Sequence, residues 1–163
     1  MITEPDWKGK CANPDGQVII GEGTEIREFV SINKPTKDVT YIGSNCYIMN
    51  RVFVGHDCHI GDGVQLNPGC SIAGFVKIGD YSHVGMNASI HQNSELGKYC
   101  VLGAGSFFKG RSPDGVIWGG VPAVPLKANY IGMARSPLSD EDMASVVKAA
   151  EEYVDRFKSS RNI

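Results

Sequence analysis

The chain has 163 residues, a formal net charge of -2 and 21% charged residues. This length suits one substantial hydrophobic core and is small for two large domains. The balanced charge offers no basic surface for nucleic acid, and no apolar run approaches the roughly 20 residues that cross a bilayer. We therefore expect no nucleic-acid partner and no transmembrane segment. The start "MITEPDWKGK" also lacks the apolar stretch of a signal peptide, so we expect a cytoplasmic protein.

The cysteines fit a reducing compartment. Their count of five is odd, and no two of them form a CxxC pair. This argues against a disulfide framework or a zinc ribbon.

An aliphatic residue recurs at every sixth position through most of the chain. Ile20, Ile26 and Ile32 begin the series, and "NKPTKDVTY" at about 33–41 then breaks its phase. The series resumes without exception at Ile42, Ile48, Val54, Ile60, Leu66, Ile72, Ile78, Val84, Ile90, Leu96 and Leu102. A period of six fits neither a helix nor a simple strand, but it is typical of a solenoid whose 18-residue coil has three flat sides.

The fourth residue after each aliphatic is small, and we expect it to share the narrow core. These residues are Cys46, Val52, Cys58, Val64, Cys70, Val76, Ser82, Ala88, Ser94, Cys100 and Ser106. Four of the five cysteines are thereby interpreted as small buried hydrophobes rather than ligands or nucleophiles. A glycine often follows the aliphatic residue, where it is predicted to supply the permissive backbone of a corner.

The chain order predicts an all-β solenoid of hexapeptide repeats at 1–123, with a loop insertion at about 33–41. "WGGVPAVP" has the glycine and proline density that ends a solenoid. Residues 124–163 then form a C-terminal extension with an α-helix at about 140–158, which Ser139 caps. Its predicted buried face is Val146, Val147, Ala150, Tyr153, Val154 and Phe157.

Winding brings distant segments onto one edge. Residues 18 apart stack at about 4.8 Å, so His56, Gly74 and Gln92 form a column. In "VGHDCHIGDG", a neutral imidazole at His56 is suited to act as a general base, with Asp57 orienting the ring. The alternative is an exposed polar corner without chemistry. A metal site is not expected, because His83 lies several positions off the His56 column and zinc needs three or four converging ligands.

Four segments carry a resemblance to a known family: "IREFVSIN", "VGHDCHIGDG", "LNPGCSIAGFVKIGDYSHVGMNASIHQNSELGKYCVLGAGS" and "GGVPAVPLKANYIGMARSPLS". Together they resemble the UDP-N-acetylglucosamine O-acyltransferases of lipid A biosynthesis, from about residue 6 to 139, in a truncated form without the first coils. The resemblance implies a left-handed parallel β-helix and a homotrimer with active sites between subunits. It also implies an acyl donor on acyl carrier protein, with no cofactor besides that co-substrate.

The family's functional residues transfer position by position. The resemblance makes His56 the catalytic base with Asp57 beside it, and places His91 and Gln92 next to the substrate. The remaining matches are Asp6 and Lys8 for the sugar, Ala104 for the acyl-chain length, and Asn129 and Arg135 for the donor or nucleotide end.

The departures concern substrate contacts. Phe53 and Phe75 stand where the family carries two substrate-facing histidines, and Ile131 and Ala134 replace a glutamate and one of two arginines. The acceptor is therefore left open among UDP-amino sugars.

Three functions follow as hypotheses. The first is transfer of an acyl group from acyl carrier protein to a hydroxyl or amine of a UDP-amino sugar, with the Gly74 N–H stabilising the oxyanion. The second is a coenzyme A-dependent sugar acetyltransferase that uses acyl-CoA. The third is a non-catalytic trimeric binding protein. The 33–41 loop is interpreted either as a substrate lid or as a solvated excursion.

Overall fold

The computed structural model describes residues 1–4, 13 and 15–161. Asp6, Lys8 and Cys11 lie outside the described residues, so the proposed sugar-binding element stays a prediction. The strands are β1 (Ile2–Thr3), β2 (Gln17–Ile20), β3 (Glu25–Ile26), β4 (Ser31–Asn33), β5 (Val39–Ile42), β6 (Tyr47–Ile48), β7 (Phe53–Val54), β8 (His59–Ile60), β9 (Gln65–Leu66), β10 (Ser71–Ile72), β11 (Lys77–Ile78), β12 (His83–Val84), β13 (Ser89–Ile90), β14 (Glu95–Leu96), β15 (Val101–Leu102), β16 (Phe107–Phe108), β17 (Val116–Gly120) and β18 (Ala123–Ala128). The helices are α1 (Tyr130–Ala134) and α2 (Asp140–Ser159).

From β1 to β16 every third strand falls in the same sheet, which makes this part of the chain a three-sided parallel β-solenoid. We name the sheets A (β1, β4, β7, β10, β13, β16), B (β2, β5, β8, β11, β14) and C (β3, β6, β9, β12, β15, β17, β18). Ser71 pairs with Phe53 below it and with Ser89 above it, so one coil is 18 residues. The solenoid predicted from the six-residue period is confirmed.

The phase break has a simple structural meaning. Ser31 pairs with Phe53, which is 22 residues later instead of 18. The extra residues leave the coil between β4 and β5, and the strands on both sides keep their places in the sheets. The irregular part of the predicted 33–41 loop is 34–38, because residue 33 ends β4 and residues 39–41 belong to β5.

The predicted core is buried along the whole repeat. All eleven aliphatic residues from Ile42 to Leu102 are at most 2% exposed, and the small residues beside them are at most 3% exposed. Ile20 and Ile26 are 38% exposed although they share the spacing. Among the described residues, no strand pairs with β2 or β3 on the side away from β5 and β6. The end of the stack therefore leaves them partly open.

The corner glycines act differently from the prediction. The left-handed backbone falls two residues further on, at positions such as Asp57 (φ 57°) and Phe75 (φ 59°). Gly43 is needed for close approach instead, because a Cβ there would lie 2.6 Å from the backbone carbon of Gly61 in the next coil. The expectation that these glycines supply conformational freedom was therefore wrong. Glycine is needed there because adjacent coils lie too close together for a larger side chain.

The C-terminal segment closes one end of sheet C. β18 runs antiparallel to β17, and α2 packs on β18. The Ser139 hydroxyl accepts a hydrogen bond from the Asp142 N–H at 3.1 Å, so the predicted N-cap is confirmed. Ala150 and Val154 are buried on the expected face. Within the described part of the chain, no helix combines the length and apolar character needed to span a bilayer.

Candidate active site

His56 lies at the corner that joins sheet A to sheet B, two residues after β7. Its ring lies against Gly74, where an added Cβ would be 2.6 Å from both Cε1 and Nε2. The edge-on ring of Phe75 closes another side, with centroids 5.0 Å apart and planes at 89°. The side chain of His56 is 18% exposed, which leaves a path to solvent while its packing fixes the ring.

Asp57 holds the other side of the imidazole. Its Oδ2 lies 2.8 Å from Nδ1 of His56 and also accepts from the N–H and hydroxyl of Thr36, at 2.8 and 2.7 Å. Its Oδ1 accepts from the N–H groups of Lys37 and Asp38, at 2.9 and 3.1 Å. The 33–41 loop thus folds onto the Asp57 carboxylate, whose side chain is only 5% exposed.

These contacts set the charge of the carboxylate. Burial by itself would raise the pKa of Asp57, but the hydrogen bonds from Thr36, His56 and Asp38 outweigh it and hold that pKa well below its usual range. Asp57 is therefore ionised at neutral pH and can only accept hydrogen bonds. It follows that Nδ1 of His56 is the donor, and the lone pair of the neutral ring is on Nε2.

The backbone of Gly74 borders the His56 ring, and in the described part of the chain its N–H makes no hydrogen bond. Corners between sheets B and C cap the equivalent N–H groups with carboxylates, as Asp62 does for Ser44 at 2.7 Å and Asp114 does for Lys98 at 2.8 Å. Among the described residues, the N–H of Gly74 has no such partner. The corner therefore combines a proton acceptor with a free backbone donor, as acyl transfer requires.

His91 and Gln92 lie on the same edge, two coils above His56. Nδ1 of His91 lies 3.1 Å from the Gln92 carbonyl oxygen, and the ring packs edge-on against Phe107 at 6.1 Å. Phe53 in β7 is half-buried on the adjoining sheet A. The N–H of Phe75 donates to the His56 carbonyl at 2.9 Å and that of Asn93 to the Gly74 carbonyl at 3.1 Å, so these corners stack as the predicted column requires.

The other two histidines lie on different faces. His59 stacks on Tyr41 at 4.7 Å on sheet B, and His83 belongs to sheet C. Burial, and then the neighbouring charge of Arg135, lower the pKa of His83. The described ranges contain no group of three histidine, cysteine, aspartate or glutamate side chains placed to hold a metal ion.

Asn129 and Arg135 lie elsewhere on the chain. Both line a groove of about 230 Å³ over sheet C. The Asn129 amide donates to the Tyr99 carbonyl at 2.8 Å and accepts from the Gly132 N–H at 3.1 Å, so its side chain is engaged inside the chain. Ala104 is exposed at the corner between sheets C and A. One chain therefore does not bring these three residues to His56.

Sequence reasoning missed the residues that support the pair. Thr36 binds the Asp57 side chain, and the hydroxyl of Thr40 accepts the Asp57 N–H at 2.9 Å. The one available signal was the phase break itself, which places a threonine-rich loop directly before the coil that carries His56.

The six-residue repeats with an imidazole–carboxylate pair at one corner are typical of hexapeptide-repeat transferases. The family model "Bacterial transferase hexapeptide (six repeats)" matches residues 40–74 and 75–110. The chain belongs to the UDP-N-acetylglucosamine O-acyltransferase family. It is 34% identical over 136 residues to the acyl-[acyl-carrier-protein]–UDP-N-acetylglucosamine O-acyltransferase of Burkholderia thailandensis, which covers 82% of this chain and 52% of that protein.

Solved structures agree with this assignment. The chain is similar to a UDP-N-acetylglucosamine acyltransferase from Francisella novicida, with a TM-score of 0.82 and 26% identity over 97% of this chain and 64% of that one. It is also similar to a perosamine N-acetyltransferase from Caulobacter crescentus, solved with CoA and GDP-perosamine. That match has a TM-score of 0.62 and 28% identity over 69% of this chain and 54% of the other. The chain spans about half the length of the curated relatives it matches.

Proposed function

We propose that this chain transfers an acyl group from a thioester donor to a hydroxyl or amine of a UDP-linked amino sugar, with His56 as the general base. The single observation that carries the proposal is the His56–Asp57 pair, whose hydrogen bonding leaves Nε2 as the free proton acceptor. The names of the relatives, which specify an acyl carrier protein donor and a UDP-N-acetylglucosamine acceptor, supply the substrate classes.

The reaction needs one base and one oxyanion donor. Nε2 of His56 removes the proton of the acceptor as its oxygen or nitrogen attacks the thioester carbonyl. The Gly74 N–H donates to the oxyanion of the tetrahedral intermediate. Collapse breaks the carbon–sulfur bond, and the thiolate takes the proton from the imidazolium. Asp57 stabilises that imidazolium and stays ionised throughout.

Two phenylalanines bear on the choice of acceptor. Phe75 packs on the base itself, and Phe53 lies on the same edge. Phenylalanine offers no hydrogen bond to a sugar hydroxyl, whereas a histidine does. We therefore expect the acceptor to present fewer polar groups at this point than UDP-N-acetylglucosamine, or to be held from another side.

A homotrimer is the assembly that completes the site in this proposal. Asn129 and Arg135 border a groove on sheet C, away from the His56 corner. Packing the sheet C groove of one subunit beside the His56 corner of the next would join the two clusters. Light scattering after gel filtration tests this, and a monomer at micromolar concentration would contradict it.

A coenzyme A-dependent sugar acetyltransferase is the second candidate. Its support is the similarity to the perosamine N-acetyltransferase solved with CoA and GDP-perosamine. Both candidates use the same base and differ in donor and acyl length. A non-catalytic solenoid is less well supported, because such a protein has no need for an imidazole whose tautomer is fixed by a buried carboxylate.

Mass spectrometry of the products separates these functions. The chain is incubated with acetyl-CoA or with 3-hydroxyacyl-acyl carrier proteins of several lengths, each with UDP-N-acetylglucosamine and its 3-amino analogue. We expect an adduct of acyl mass with a carrier-protein donor. Mild alkali then cleaves an ester product and leaves an amide intact. Adducts formed with acetyl-CoA alone would favour the second candidate, and no adduct from a folded trimer would favour the non-catalytic one.

A further inference from the structure

Thr36 binds the same carboxylate oxygen that binds the proposed base. Its N–H and its hydroxyl lie 2.8 and 2.7 Å from Oδ2 of Asp57, and Nδ1 of His56 lies 2.8 Å from that oxygen. We propose that Thr36 is a positioning residue for acyl transfer, which fixes the tautomer and orientation of His56 by holding Asp57. The inference rests on the proposed function and extends it to a residue of the 33–41 loop.

The carboxylate has no freedom to turn on its own. Two further donors, the N–H groups of Lys37 and Asp38, hold Oδ1. Asp57 also has a left-handed backbone with φ of 57°, and its N–H donates to the buried Thr40 hydroxyl. The loop therefore fixes both the side chain and the backbone of Asp57.

Thr36 is the one loop residue in this set whose side chain reaches the carboxylate. Lys37 and Asp38 contribute only main-chain N–H groups, and their side chains are exposed. Thr36 is 6% exposed, so water has little access to replace its hydroxyl. Substitution at Thr36 consequently removes one bond of the set, whereas substitution at Lys37 or Asp38 leaves the N–H donors in place.

The four extra residues of this coil let the chain reach the Asp57 carboxylate. At a regular corner a single N–H reaches the carboxylate of the next coil, as the Ser44 N–H reaches Asp62 at 2.7 Å. The insertion places three consecutive N–H groups, from Thr36 to Asp38, around one carboxylate. The loop is thereby interpreted as a fixed support for the base rather than a mobile lid.

The test compares Thr36→Val, which loses the hydroxyl at nearly constant volume, with Thr36→Ser, which keeps it. Thr24→Val is the matched control, because the Thr24 hydroxyl also makes two hydrogen bonds, to the Gly43 carbonyl at 2.7 Å and from the Cys46 N–H at 3.0 Å, at a different corner. Thr36→Ala repeats the comparison without a new methyl group if the valine variant does not fold.

Two readouts are measured on each folded chain. Nitrogen-15 NMR of the histidine rings, recorded without substrate, reports which ring nitrogen of His56 carries the proton. Steady-state kinetics report kcat and KM. We expect Thr36→Val to mix the two His56 tautomers and to lower kcat about tenfold with KM within about twofold, as loss of one hydrogen bond to a charged group predicts. Thr36→Ser and Thr24→Val should match the unmodified chain.

The proposal would be overturned if the His56 spectrum of Thr36→Val were the same as that of the Thr24→Val control, whatever the kinetics show. A changed spectrum with unchanged kcat would also overturn it, because the tautomer would then not limit the reaction. An unmodified chain that transfers no acyl group would refute the proposed function. The effect of Thr36 on His56 would still be measured in that case, because the spectra do not depend on turnover.

Discussion

Substitution Gly74→Ala should displace the base without removing it. The new Cβ would start 2.6 Å from Cε1 and Nε2 of His56, and carbon atoms are in contact at about 3.5 Å, so the ring has to retreat by about 1 Å. Phe75 blocks retreat on one side, and the bond to Asp57 restrains it on another. A misplacement of about 1 Å at a reacting group lowers the rate about a hundredfold, and overpacking costs about 1–3 kcal/mol of folding stability.

The assay is kcat for acyl transfer, together with urea unfolding at a fixed protein concentration. Gly119→Ala is the matched control, because its Cβ would meet the end of the Leu126 side chain at 2.9 Å, and that side chain is 46% exposed and free to rotate. We expect the control to keep its turnover and the Gly74 variant to lose it. A Gly74→Ala chain with unchanged kcat and unchanged His56 resonances would refute the packing of the ring described above.

Three further predictions concern stability and reactivity. Asp57→Asn should lower the free energy of unfolding by about 2 kcal/mol at pH 7. Because the pKa of Asp57 is lowered in the folded chain, that difference should be complete above about pH 5 and shrink as the pH falls further; a difference that grows on acidification would contradict it. Burial raises the pKa of Cys58 and Cys70 to about 12, so neither thiol should react with Ellman's reagent until the chain unfolds, as peptide mass mapping would show. Trp118→Phe loses the 2.7 Å bond from Nε1 to the Ser112 hydroxyl and should cost about 1 kcal/mol in urea unfolding, and an unchanged midpoint would argue against that bond.

The solenoid was predictable because its energetics repeat. Each coil buries the same class of side chain at the same two positions, so the pattern is visible along the chain without any knowledge of contacts. The column of His56, Gly74 and Gln92 followed directly from the 18-residue coil. Where one coil lacks a described neighbour, at Ile20 and Ile26, the spacing persists but the burial does not.

The supporting contacts of the site were not predictable in the same way. The bonds from Thr36, Lys37 and Asp38 to Asp57 depend on the path of an irregular loop, and no periodic rule describes that path. The engagement of Asn129 by Tyr99 likewise depends on how α1 meets the last coils. Resemblance to a family indicates which residue types occupy these positions, but not which neighbour each side chain binds.

The most direct test of the central claim is the turnover of His56→Ala beside His59→Ala. Both substitutions remove one imidazole from nearby positions, but His59 stacks on Tyr41 at another face, whereas His56 binds the Asp57 carboxylate. With folding and assembly intact, His56→Ala should lower kcat by a hundredfold or more, as expected for loss of a general base. His59→Ala should turn over normally. Near-normal acyl transfer by the His56 variant would contradict the account.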